Sequence, residues 1–120
     1  MHYTRNSPMK RLFLTFLLLT VLAGCAKKPP SERINITMKK YEFVPAEVHV
    51  TRGQRVLLVV SAADTQHGFH VDAFGINEPV KKGQTAEVEF ESDQAGTFPM
   101  NCSIICGSRH DDMVGRIIVE

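Results

Sequence analysis

No acidic side chain occurs before Glu32, and Leu12 to Gly24 carry no charge of either sign. The chain is therefore divided: an apolar N-terminal quarter stands apart from a body of different composition. The body has no excess of one charge. Residues 25 to 120 hold 11 basic and 13 acidic side chains, a balance of −2. A near-neutral body argues against non-specific nucleic-acid binding, which needs a clustered basic surface to neutralise phosphates. Also missing are an apolar stripe at helical spacing, an internal repeat and a low-complexity tract, which excludes helical bundles, solenoids and disordered tails. What remains, 43% apolar and 22% charged, is the composition of a single globular domain.

The N-terminal quarter has the three-part layout of a secretory signal. Arg5, Lys10 and Arg11 precede the apolar run, and small residues, Ala23 and Gly24, close it. Leu22-Ala23-Gly24-Cys25 resembles the bacterial lipobox. That resemblance implies cleavage before Cys25 and lipidation of its sulfur, with the protein held on the extracytoplasmic face of a membrane in the bacterial cell envelope. An uncleaved spanning anchor is the alternative. Thirteen residues at about 1.5 Å each cover only about 20 Å of a hydrocarbon core roughly 30 Å thick. Lys27-Lys28-Pro29-Pro30-Ser31 reads as a solvated tether, because paired prolines continue neither helix nor sheet. The expected organisation is a signal peptide over 1–24, a lipidated tether over 25–33 and one domain over 34–120.

The domain alternates with period two. Ile34, Ile36 and Met38 interleave with Asn35, Thr37 and Lys39, and Val48 and Val50 flank an outward His49. The run Val56-Leu57-Leu58-Val59-Val60 suggests a central strand covered on both faces. Further strand-length segments are Phe69 to Ala73, Thr85 to Phe90, Thr97 to Cys102 and Val114 to Val119, with turn signals at Gly53, Lys82-Gly83-Gln84 and Gln94-Ala95-Gly96. About seven short strands predict an all-β, antiparallel sandwich.

Cys102 and Cys106 open a segment that also holds His110 and Met113. Two thiols, an imidazole and a thioether within twelve residues are a soft donor set that suits copper and, less well, zinc, whereas magnesium or calcium requires oxygen. A further ligand comes from elsewhere in the chain: His67 begins a strand that places it on one face with Phe69 and Val71. A Cys102–Cys106 disulfide is the competing structural reading, but it leaves His110 and Met113 without a purpose. Two Cys and two His also satisfy a zinc module. With one cysteine fewer, the set would be a mononuclear blue-copper site. His70 points to the opposite face, Met100 packs in the core, and Asp64 is a turn residue or a hydrogen-bond partner of an imidazole.

Cys-Ser-x-x-Cys-Gly-x-x-His-x-x-Met at Cys102–Met113, with Asp64-x-x-His67-Gly68-Phe69 upstream, resembles the dinuclear CuA site of cytochrome c oxidase subunit II and nitrous oxide reductase. Tyr41-Glu42-Phe43-Val44-Pro45, Val48-His49-Val50 and Gly53 are similar to the opening strands of that cupredoxin domain. The resemblance implies a Greek-key sandwich over about Ile34 to Glu120. It also implies two copper ions bridged by Cys102 and Cys106, with His67 and His110 as terminal ligands. Met113 and the backbone carbonyl of Ile104 would be weak ligands. The function implied is one-electron transfer from a donor such as cytochrome c, alone or beside a heme-copper oxidase whose oxygen chemistry lies on another subunit. The departures are Ile104, where many members carry a Glu that reaches a second metal, the absence of Trp, and the lack of docking transmembrane helices. Copper handling during oxidase assembly is the alternative function.

Overall fold

The computed structural model describes Gly24 and residues 28–120. Cys25, the signal segment and the first residues of the tether lie outside the described residues. Nine strands follow one another: β1 (Glu32–Lys39), β2 (Glu42–Val44), β3 (Glu47–Val50), β4 (Arg55–Ala62), β5 (His67–Val71), β6 (Ile76–Val80), β7 (Thr85–Glu91), β8 (Gly96–Cys102) and β9 (Val114–Val119). Two 3-10 turns, Asp72–Phe74 and His110–Asp112, are the only helical pieces among the described residues. None of these residues forms a helix long and apolar enough to cross a membrane.

The strands form two sheets, ordered β2-β1-β4-β7 and β3-β9-β8-β5-β6. The expected all-β Greek-key sandwich is borne out, with three corrections. First, the sheets are mixed: β1 pairs parallel with β4, and β3 pairs parallel with β9. The chain leaves the first sheet after β2, contributes β3 to the second and returns as β4, so β1 and β4 run the same way. Second, β2 and β6 extend the expected set. β2 has three residues, and β6 carries Pro79, which only an edge strand tolerates. Third, β4 is central in its sheet but covered on one face. Val56, Leu58, Val60 and Ala62 are buried, while Leu57 and Val59 are half-buried on the outer face beside Glu89 and Glu87 of β7.

Between the sheets, Ile36, Met38 and Leu58 of the first meet Phe69, Met100 and Ile117 of the second, all inaccessible to solvent. Each such side chain stabilises the fold by about 1.5–3 kcal/mol on burial. Phe43 meets Phe69 edge to face at 6.0 Å. β5 begins, β8 ends and β9 begins at one pole of the sandwich, so the segment between Cys102 and Val114 crosses that pole over a packed base.

Candidate metal centre

Strand register sets the first distances. Phe69 pairs with Cys102 across β5 and β8, which leaves His67, two residues further along the same buried face, diagonal to Cys102. Beyond Cys102 the chain turns back over β5. Ser103 N donates to Gly68 O at 2.9 Å, and Ser103 Oγ donates to Asn77 Oδ1 at 2.7 Å. This approach needs glycine at 68. A Cβ there would overlap Ser103 Oγ and stand 3.1 Å from Ile104 N.

The donors then form a chain. His67 Nδ1 lies 3.7 Å from Cys102 Sγ, Cys102 Sγ lies 3.8 Å from Cys106 Sγ, and Cys106 Sγ lies 3.8 Å from His110 Nδ1. Cys102 Sγ is also 3.1 Å from Ile104 O. Both cysteines are free and buried, and their separation far exceeds the roughly 2.05 Å of a disulfide. Donor atoms of His67, Cys102 and Cys106 all fall within 4.8 Å of one another. An ion about 2.3 Å from sulfur and about 2.0 Å from nitrogen in tetrahedral geometry spaces its donors roughly 3.5–3.8 Å apart. The observed spacings therefore fit a soft metal held by sulfur and imidazole. Met113 is buried and shares with Cys102 and His110 an open cleft of about 250 Å³.

The two imidazoles are supported differently. His67 is fully buried, and its Nε2 donates to Asp64 Oδ1 at 2.8 Å. Because a carboxylate only accepts, the proton sits on Nε2 and the Nδ1 lone pair faces sulfur. Asp64 Oδ2 accepts from the Lys40 amide at 2.7 Å. Desolvation opposes the charge on Asp64, but the hydrogen bonds from Lys40, His67 and Thr65 outweigh it and hold the carboxyl below its ordinary value. His110 sits on the 3-10 turn with 19% of its side chain exposed, and its Nε2 is 3.9 Å from Asp111.

Burial, and then the neighbouring Cys102 sulfur, push the Cys106 thiol up to about 11. In the metal-free protein Cys106 is therefore protonated at neutral pH, and a cation must displace that proton to gain a thiolate. His70 is half-buried on the other face of β5, between Asn77 and Asn101. Met100 is in the core. His49 is exposed and bonded to Glu47 and Glu120. Sequence reasoning missed Tyr41, whose hydroxyl occupies the place a side chain on Gly107 would need, and whose ring lies 5.6 Å from the Arg109 guanidinium. The glycine after Cys106 was the available signal.

Three comparisons with known proteins bear on this centre. A sequence profile of the family described as cupredoxin-like domain matches residues 12–119. The chain is similar to cytochrome c oxidase subunit 2 of Thermus thermophilus, 29% identical over 80 residues, covering 67% of this chain and 59% of that one. It thus spans about three-fifths of that relative's length. Among solved structures, the periplasmic domain of subunit II of cytochrome oxidase of Bradyrhizobium japonicum superposes with a TM-score of 0.72 at 22% identity, covering 78% of this chain and 86% of that one. Auracyanin A, a blue copper protein from Chloroflexus aurantiacus, superposes with a TM-score of 0.61 at 20% identity, covering 73% and 98%.

Proposed function

On the premise that this chain belongs to the cupredoxin-like domain family, we propose that it is an electron-transfer protein with a dinuclear copper centre of the CuA type. Cys102 and Cys106 would hold the two ions together, His67 and His110 would each complete one, and Met113 and the Ile104 carbonyl would be the weak ligands. When bound, such a centre supplies a one-electron couple shared over both sulfurs. The observation that carries this reading is the chain of donors, imidazole–thiol–thiol–imidazole, at 3.7–3.8 Å intervals. A mononuclear blue-copper set of two His, one Cys and one Met leaves one of the two buried thiols unused.

The residues of the chain have distinct tasks. Phe69 and Gly68 hold His67 and the Cys102 turn against a packed sheet, so these ligands keep their places when charge changes. Asp64 keeps the proton of His67 on Nε2. The partly exposed edge of His110 gives electrons their shortest way out to a partner. The related oxidase subunits suggest a donor such as cytochrome c and an acceptor of the heme-copper oxidase class, with oxygen chemistry on another subunit. The lipobox-like segment adds a lipid anchor at Cys25 and an extracytoplasmic location.

The test is copper per chain together with the electron paramagnetic resonance spectrum of the oxidised protein. Two coppers and a seven-line mixed-valence pattern are expected, while one copper with four lines sinks the dinuclear reading and supports a mononuclear cupredoxin. Cys102→Ser abolishes the seven-line pattern if Cys102 bridges. Mass spectrometry of the mature N-terminus tests the anchor, and Met1 retained without acyl chains refutes it.

A further inference from the structure

Two turns bring four lysines together at the pole of the donor chain. Lys39 ends β1 and Lys40 follows it, and Lys81 and Lys82 follow β6, whose last residue, Val80, pairs directly with His67. The segment Ala62–Asp64 ties the two turns together. Ala63 N donates to Met38 O at 2.9 Å and Gly83 N to Ala62 O at 2.7 Å, while Asp64 Oδ2 accepts from Lys40 N at 2.7 Å. All four lysines are exposed. Only Lys39 has an ion-pair partner among the described residues, Glu42 at 3.3 Å. The other carboxylate on these segments, Asp64, has both oxygens occupied by Lys40 N and His67. The acidic stripe on β7 contrasts with this ridge: Glu87, Glu89 and Glu91 are matched by Arg33 and Arg55. In a body with a net charge of −2, positive charge is thus left unpaired along one rim of the donor pole.

We propose that this lysine ridge is a docking surface for an acidic protein face, which it steers onto the pole where His110 is partly exposed. The inference rests on the electron-transfer reading for the partner's redox nature, but not for its charge. A second placement supports a partner approaching from outside. Residues 28–31 leave the fold at the other pole, where Ser31 N bonds to Arg55 O at 2.9 Å. β1 and β4 then run side by side for eight residues, about 23 Å, to reach the lysines. The ridge therefore faces away from the N-terminal exit. At the same pole stand the carboxylates of Asp111, fully exposed, and of Asp112, which Arg109 pairs at 2.9 Å, and a uniformly anionic lipid surface would meet both at the same time. A protein face with localised acid on one side avoids them. Charge of this kind acts mainly on encounter rate and orientation, and salt screens it.

The experiment has two readouts. Metal-free protein is titrated with a hexaglutamate peptide at low ionic strength while backbone amide shifts are followed by NMR. The expected shifts concentrate at Lys39–Tyr41 and Lys81–Gln84 and fade at 0.5 M salt. In the copper-loaded protein, electron exchange with anionic hexacyanoferrate and cationic hexaammineruthenium is timed by stopped flow. Lys81→Glu with Lys82→Glu is expected to slow the anionic probe about tenfold at low salt and to speed the cationic one. Lys28→Glu with Arg52→Glu, at the other pole, leaves both rates unchanged. Shifts spread evenly over the surface, or equal effects from the two variant pairs, overturn the proposal. So does lysine-dependent binding to vesicles rich in anionic lipid when the peptide moves no amide. If the chain holds no copper while the peptide still titrates the ridge, the electron-transfer reading fails and the acidic-docking surface stands.

Discussion

The two imidazoles that flank the thiols differ in almost everything except residue type. His67 stands on a strand, fully buried, with its second nitrogen held by Asp64 and its backbone paired with Val80 of β6. His110 stands on a short turn, partly exposed, with a 3.9 Å approach to Asp111 as its link to a carboxylate. The difference separates two needs of the proposed electron-transfer site. One side supplies rigidity, which keeps ligands still when charge changes, and the other supplies access, which shortens the distance to a partner.

The largest break in this contrast comes from beneath the buried arm. Phe69→Ala is expected to cost about 3–5 kcal/mol, whereas Ile105→Ala, at a residue 84% exposed on the accessible arm, stays within about 0.5 kcal/mol. Urea unfolding of the metal-free variants measures both, and equal losses would contradict the division of labour. Gly68→Ala comes next. Its Cβ would overlap Ser103 Oγ and crowd Ile104 N at 3.1 Å, so the Ser103 hydroxyl has to leave its place and the loop has to give, at about 1–3 kcal/mol.

Asp64→Ala should weaken metal binding about 10- to 100-fold, because His67 then loses the partner that keeps its proton on Nε2. Asp64→Asn, which retains an acceptor, recovers part of that, and Asp111→Ala on the other arm changes little. Competition with a chelator of known affinity gives the three values, and ¹⁵N shifts of the His67 ring in metal-free protein report the tautomer directly. Metal loading at neutral pH in weak buffer should release a proton from Cys106, whose thiol burial holds up to about 11. A pH-stat trace without release would contradict that assignment.

The smallest effect belongs to a third imidazole, His49, which has exposure without a site. Glu120 and Glu47 raise its pKa. Its contribution is therefore complete below the ordinary histidine value of 6.5 and is lost as pH rises through the raised value. The difference in urea midpoint between wild type and His49→Gln should be larger at pH 5.5 than at pH 8.5 and should shrink with salt, because the group is exposed. An unchanged difference would show that the two carboxylates do not hold the charged ring.

Much of the fold could be read from alternation. Ile36, Met38, Val48, Val50 and His67 fall on buried faces as period two requires. Strand pairing could not be read in the same way, because β1 and β4 are neighbours only after the chain has visited the other sheet. β6 escaped notice because Pro79 and Glu78 resemble a loop until an edge position makes them acceptable. At the centre, Cys102, Cys106, His110 and Met113 were legible because one loop carries them. Tyr41 against Gly107 was not, since that contact joins segments 66 residues apart in sequence.

The sequence by itself determined the donor types, the period-two faces and the single-loop spacing of the thiols, all of which are local properties of a covalent chain. Only the tertiary structure decided which imidazole is buried, which nitrogen of His67 carries the proton, and which lysines share a rim with it. Those depend on where separate turns meet, and turns meet through long-range strand pairing and burial, which no local pattern specifies.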